Sequence, residues 1–274
     1  MRRARAALAL LLAPHAAAAA CGAADDACAL PDGEYHLALP EADAATRPAV
    51  VFLHGAGSTG AAVLRNSGLI APLLARGYAV IAPTGGRSFR GRPGSNWNFF
   101  PGWEGRDETD FLKRVLADAA DRFGIDPDRT LLAGFSAGAF EVSYLACSDP
   151  AAFPAYAPVS GGFWQPHPDA CAGPVRLLQT HGWQDPVVPL EGRPLGGGRF
   201  LQGDIFAGLA IWRRANRCAR PDPTGFTETG PFWRRSWESC APGSALDFAL
   251  FAGGHTVPPG WADMALDWFE AVTE

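Results

Sequence analysis

From residue 49 onward, short apolar runs alternate with stretches of helical periodicity. "AVVFL" (49–53), "YAVIA" (78–82), "TLLA" (130–133), "VRLLQ" (175–179) and "LDFALF" (246–251) predict strands. Most are apolar at every position and not at every second one, as strands buried on both faces are. Between them the clearest helix spans residues 106–124. Phe111, Leu112, Val115, Leu116, Ala119, Ala120 and Phe123 recur there at helical spacing. Asp107 can cap its start and Gly124 can end it. Strand–helix alternation with short connections predicts an α/β fold, an open and mostly parallel sheet with helices on both faces.

Three segments interrupt this rhythm. Residues 85–106 are rich in Gly, Arg and aromatics, and residues 161–173 follow a strand end. Residues 220–240 are rich in Pro, Thr and Trp, and their second part reads as an antiparallel hairpin. With no internal repeat and no long linker, these segments are expected to decorate one domain.

The first 20 residues have a different character. Arginines precede an apolar run and then alanines, ending at Cys21. That order is the pattern of an export signal, and the apolar run is too short to span a bilayer. The expected division is a signal peptide over 1–20 and one catalytic domain over 21–274, in a secreted or periplasmic protein. The formal net charge of −5 shows no basic patch and argues against a nucleic-acid partner. Six cysteines, an even count behind an export signal, favour disulfides. Of 15 possible connectivities, sequence-neighbour pairing would join Cys21 to Cys28, Cys147 to Cys171 and Cys218 to Cys240. A lipid anchor on Cys21 is the competing use of that residue. No Cys or Cys/His spacing fits a zinc site.

The chemistry centres on Gly134-Phe135-Ser136-Ala137-Gly138, a G-x-S-x-G motif with an apolar strand before it and a helix after it. A serine on such a turn stands clear of the sheet, and the helix N-terminus points free N–H groups at developing negative charge. A neutral serine needs a base, and the base needs an orienting acid. His255, in the Gly-rich loop after the last strand, is the candidate base. Asp185, in "HGWQDPVVP" (181–189), is the candidate acid, preferred over Asp204, Asp247 and Asp263. His181 lies four residues before Asp185, and is expected to pack beneath the loop and turn away from the acid. The loop "HGAGSTG" (54–60) after the first predicted strand would supply a second oxyanion donor beside the amide of Ala137. Ala56 is that candidate, with Gly57 the alternative, and His54 is expected to brace the loop. The Gly-Lys-Ser/Thr ending of a phosphate loop is absent.

These residues resemble the α/β-hydrolase superfamily. More narrowly, the chain is similar to secreted esterases of the polyhydroxybutyrate depolymerase and feruloyl esterase type, related to carbohydrate esterase family 1. The resemblance runs from about residue 48 to 270, through "VVFLHGAGS", "AVIAPTG", "SNWN", "GFSAGA", "YAPVSGGFW", "THGWQDPVVP" and "GGHTVP". It departs at Phe135, where leucine is common, and at Trp183, where a smaller residue is common. It implies ester hydrolysis through an acyl-enzyme, without metal or other cofactor; separately, the expected partner is a small or polymeric ester and the expected state is a monomer. Trp97, Phe99, Trp103, Trp164 and Trp183 are the candidate substrate contacts, against the alternative that they only pack. A serine peptidase and a catalytically silent binding protein are the competing readings.

Overall fold

The computed structural model describes residues 21–42, 44–89 and 91–274, without the side chains of Arg92 and Pro93. The expected export signal lies outside the described residues. Ten strands form one sheet: β1 (Cys28–Leu30), β2 (Gly33–Ala38), β3 (Arg47–Leu53), β4 (Ala79–Pro83), β7 (Ile125–Phe135), β8 (Ala155–Val159), β9 (Arg176–Gly182), β12 (Gly225–Thr229), β13 (Phe232–Ser236) and β14 (Ala245–Phe251). Two ribbons, β5 (Arg87–Phe89) with β6 (Arg92–Asn96) and β10 (Pro194–Leu195) with β11 (Phe200–Leu201), stand apart from it. The helices are α1 (Gly60–Leu64), α2 (Ser67–Ala75), α3 (Glu108–Phe123), α4 (Ala137–Ser148), α5 (Ile205–Ala215) and α6 (Trp261–Thr273).

The strand order is β1-β2-β4-β3-β7-β8-β9-β14-β13-β12. The central six, from β4 to β14, pair in parallel, and both ends of the sheet are antiparallel. The all-apolar runs follow from this arrangement. Val51, Leu53, Leu132 and Leu177 face one core with α3, α4 and α5. Val50, Phe52, Leu131 and Leu178 face the other with α2 and α6. Asp107 caps α3 by accepting from the amide of Asp110 at 3.0 Å, and Gly124 ends it in the left-handed region with φ 64°.

All three disulfides join sequence neighbours: Cys21–Cys28, Cys147–Cys171 and Cys218–Cys240. The sulfur of Cys21 is thereby committed, which corrects the lipid-anchor alternative, since a thioether needs that sulfur free. The predicted hairpin is β12–β13, turning at Gly230. Because the central strands run the same way, the loops that follow β3, β7, β9 and β14 gather at one edge of the sheet, where ligands of open α/β sheets bind.

Candidate active site

Ser136 sits between the end of β7 and the start of α4, with φ 56° and ψ −113°. A residue with a side chain rarely adopts this backbone, and here the surroundings enforce it. A Cβ at Gly138 would lie 2.3 Å from the carbonyl oxygen of Leu53 on β3. Only glycine lets the first turn of α4 press so closely on the sheet. Ala137 is the first residue of α4, so its N–H has no partner within the helix.

The candidate base comes from the loop after β14. His255 Nε2 is 2.9 Å from Ser136 Oγ, and its Nδ1 is 2.8 Å from Asp185 Oδ2. The ring of Phe135 packs on the imidazole, with centroids 4.6 Å apart. The candidate acid comes from the loop after β9, and its side chain is sealed from solvent. Asp185 Oδ1 accepts from the amides of Val187 and Val188 at 2.9 and 2.8 Å. Burial pushes this carboxyl upward, but the hydrogen bond from His255, the amide of Val188, the charge on His255 and the amide of Val187 outweigh burial. The net effect holds it below the usual carboxylate range. An ionised Asp185 fixes His255 with Nδ1 as donor, leaving Nε2 to accept from the serine hydroxyl.

The two loops are bound to each other. The amides of Trp183 and Gln184 donate to the carbonyls of Phe251 and Gly253 at 3.1 and 3.0 Å. A Cβ at Gly182 would lie 2.3 Å from the carbonyl oxygen of Gly254. His181 is fully buried beneath, with Nε2 2.8 Å from Val188 O and 3.7 Å from Asp185 Oδ2. It therefore underlies the carboxylate, correcting the expectation that it turns away. Burial lowers its pKa.

The loop after β3 lies against the serine, for a Cβ at Gly55 would be 3.5 Å from Ser136 Cβ. His54 braces it as expected. Gly85 N donates to His54 Nε2 at 3.0 Å, so Nδ1 carries the proton and donates to Gly55 O at 2.8 Å. Burial drives the pKa of this imidazole down to about 4, which keeps it neutral. Gly57 is removed as an oxyanion donor because its amide already donates to Ser95 O at 2.8 Å. Ala56, exposed at the tip, is the loop residue that remains.

The aromatic candidates divide. Trp97 is fully enclosed, and its indole N–H donates to His54 O at 2.8 Å, so it supports the loop and cannot touch a substrate. Phe99 and Trp164 are buried against each other, with centroids 5.0 Å apart, in a cluster that includes Phe140 and Tyr144. Trp103 is half-buried at its edge, under the guanidinium of Arg87. These side chains pack as a wall, and Phe99, Trp103 and Tyr144 also line a cavity of about 360 Å3. Trp183, by contrast, is 55% exposed.

Sequence reasoning missed the anchor of the 85–106 segment. Buried Glu108 accepts from Arg106 and from the amides of Gly86 and Asn98. No periodicity marks an Arg-x-Glu pair at a helix start, so no signal was there to find it. The part played by Phe135 was foreshadowed only by its departure from leucine.

A strained serine on a strand-to-helix turn, a histidine and a buried carboxylate, in the chain order Ser, Asp, His, define the architecture of an α/β hydrolase. The chain belongs to the alpha/beta hydrolase family, whose sequence profile matches residues 50–271. Among curated proteins it is similar to the putative esterase NocK of Nocardia uniformis subsp. tsuyamanensis, 28% identical over 252 residues. That match covers 81% of this chain and 68% of the relative. It is also similar to poly(3-hydroxyalkanoate) depolymerase C of Paucimonas lemoignei, 32% identical over 126 residues. There the match covers 45% of this chain and only 30% of the relative. The acetyl xylan esterase from Aspergillus awamori shares the fold, with a TM-score of 0.64 at 17% identity, over 86% of this chain and 93% of that one.

Proposed function

We propose that this chain is a secreted serine carboxylesterase that hydrolyses polyhydroxyalkanoate-type polyesters or their oligomers through an acyl-enzyme. The observation that carries the reading is the continuous relay from Ser136 Oγ through His255 to Asp185, with hydrogen-bond distances of 2.9 and 2.8 Å. His255 Nε2 takes the hydroxyl proton as Ser136 Oγ attacks the ester carbonyl. Asp185 stabilises the imidazolium that forms. The N–H groups of Ala137 and Ala56 receive the oxyanion. Collapse of the tetrahedral intermediate releases the alcohol, which takes the proton from His255. Water then attacks the acyl-enzyme by the same steps in reverse and frees the acid.

The polyester reading draws support from the depolymerase relative, and the esterase reading from NocK. Secretion draws support from the export pattern of residues 1–20 and from three disulfides, which persist in oxidising compartments. The enzyme works as a single domain and as a monomer. The test is hydrolysis of p-nitrophenyl butyrate, then of 3-hydroxybutyrate oligomers, methyl ferulate and acetylated xylan. Ser136→Ala should lower kcat by several orders of magnitude. Turnover that survives this change would overturn the assignment of the nucleophile. Faster cleavage of acetylated xylan or methyl ferulate than of the oligomers would move the substrate to plant polysaccharide.

A further inference from the structure

Five of the seven exposed large apolar side chains among the described residues lie near one end of the sheet. Trp183 and Val187 bracket Asp185 in sequence, at 55% and 40% exposure. Trp233 on β13 and Phe226 on β12 are 46% and 69% exposed, and Phe206 at the start of α5 is 47% exposed. The contacts join them into a strip. Trp183 meets Trp233 edge to face, with centroids 6.1 Å apart. Register sets Trp233 opposite both Leu250 and Glu228, and Arg235 opposite both Phe226 and Phe248, so all six share one face. Phe226, Trp233 and Leu250 line a groove of about 370 Å3 on that face. Phe206 continues the strip by packing on Phe248, with centroids 5.8 Å apart.

Packing does not account for this exposure. Soluble chains seldom leave large apolar side chains contiguous at the surface unless something covers them. Three observations say what covers this strip. It begins two residues from Asp185, and the amide of Trp183 donates to the carbonyl at the end of β14, whose following loop carries His255. The strip therefore starts on the loop that carries Asp185, beside the loop that carries His255. Its charges balance, for that face carries one cation, Arg235, set over the Phe226 ring, and one anion, Glu228, placed opposite Trp233 and diagonal to Arg235. A balanced surface suits an uncharged partner. Finally, the planes of Trp183 and Trp233 stand at 86°. Sugar rings stack on coplanar faces, whereas a ridge of one face and one edge fits a flexible aliphatic chain.

We propose that this strip, from the Asp185 loop to the edge strand β12, is a docking surface for an uncharged aliphatic polyester. The proposal rests on the ester-hydrolase reading and names the substrate surface beside that site.

The experiment separates adsorption from chemistry. Adsorption to a film of poly(3-hydroxybutyrate) is measured in a Ser136→Ala background, with and without Phe226→Ser and Trp233→Ser. Soluble p-nitrophenyl butyrate is assayed with the same pair in the otherwise unchanged protein. The pair should weaken adsorption about tenfold or more, as expected for two lost aromatic contacts, and leave soluble turnover within about twofold. The conservative pair Phe226→Leu and Trp233→Phe should retain adsorption, which guards against a folding defect in the serine pair. Unchanged adsorption in the serine pair, or lost adsorption in the conservative pair, would overturn the proposal. So would binding through these residues to insoluble xylan in place of the film, or a dimer in sedimentation velocity that the serine pair abolishes. If the unchanged protein fails to cleave the soluble ester, the esterase reading fails by itself, and the adsorption measurements still decide the docking surface.

Discussion

His181 lies fully buried under the loop that carries Asp185, and its Nε2 faces Val188 O at 2.8 Å. That carbonyl can only accept, so Nε2 carries the proton and Nδ1 is bare. Burial lowers the pKa of this imidazole and keeps it neutral, so it does not compete with His255 for the carboxylate 3.7 Å away. Its part is to hold the 185–188 turn. His181→Phe keeps the bulk and removes the donor. On a soluble ester, kcat should fall on the order of tenfold, the effect of about 1.4 kcal/mol of lost hydrogen bonding, with KM little changed. Steady-state kinetics checks this, and an unchanged kcat would remove His181 from the positioning of Asp185. Glu141 poses the opposite problem. It lies buried on α4, and its Oε2 has no hydrogen-bond partner. Burial, with the negative charge of Glu108 adding to it, pushes this carboxyl well above its usual range. The folded protein thus keeps a proton that the unfolded chain releases above about pH 4.5. Stability must fall as pH rises from there towards the folded value. Glu141→Met fills the same space without the polar group. It should gain about 1 to 3 kcal/mol at pH 7 to 8, and the gain should fade near pH 4. Urea unfolding at the two pH values reads the difference. At this scale the candidate site was legible, because the serine motif lies in a strand–turn–helix context and Asp185 and His255 each follow an apolar run. The fate of Trp97 and Gly57 was not, because burial of an indole and engagement of an amide depend on the 85–97 segment folding over the loop.

The elements were legible wherever burial on both faces made a run wholly apolar, as in β3, β4, β7, β9 and β14. The strand β8 was foreseen only as a strand end before residue 161 and not as a full run, for a physical reason. It is "AYAPV", and Pro158 removes a ladder donor from what proves to be the middle of the sheet, where proline argues against a strand. The pair β1–β2 escaped because it is short and antiparallel at the sheet's edge. How elements approach one another was also invisible beforehand, although the glycines hinted at it. Gly182, at the end of β9, lets the Asp185 loop and the His255 loop meet. An added Cβ would lie 2.3 Å from Gly254 O and 2.6 Å from Gly253 O, both backbone atoms that cannot swing aside. Gly182→Ala must therefore spread the two loops. Displacement of about 1 Å between base and acid is worth about a hundredfold in rate, and overpacking costs about 1 to 3 kcal/mol in stability. The expected result is a kcat loss near a hundredfold in a protein that still folds, measured by kinetics alongside denaturant unfolding. Wild-type kinetics in this variant would mean that the close approach is irrelevant to the site.

Across the whole molecule, the three segments that break the strand–helix rhythm are secured in two ways. The 85–106 segment is held by hydrogen bonds, through Glu108 and through His54 to Gly85 and Trp97. The other two are held by covalent ties. Cys147, near the end of α4, fixes the 161–173 segment through Cys171, and Cys218, just past α5, fixes the exit of the β12–β13 hairpin through Cys240. These bridges close loops with sequence separations of 24 and 22. In the chain-entropy account, loops of this length restrict the unfolded state by roughly 3 kcal/mol each. For a chain of this size, 1 kcal/mol shifts Tm by about 2 to 4 °C. Replacing either pair by alanine should therefore lower Tm by about 6 to 12 °C. The two losses should add, because the bridges tie separate segments. Neither bridge touches the Asp185 or His255 loops, which are joined by the amides of Trp183 and Gln184. Turnover of a soluble ester per folded molecule should then be nearly unchanged in both variants at 25 °C. Calorimetry with titration by an active-site-directed fluorophosphonate separates the two quantities. A fall in turnover per titrated site would show that the decorating segments, and not only the sheet-edge loops, hold the relay in place.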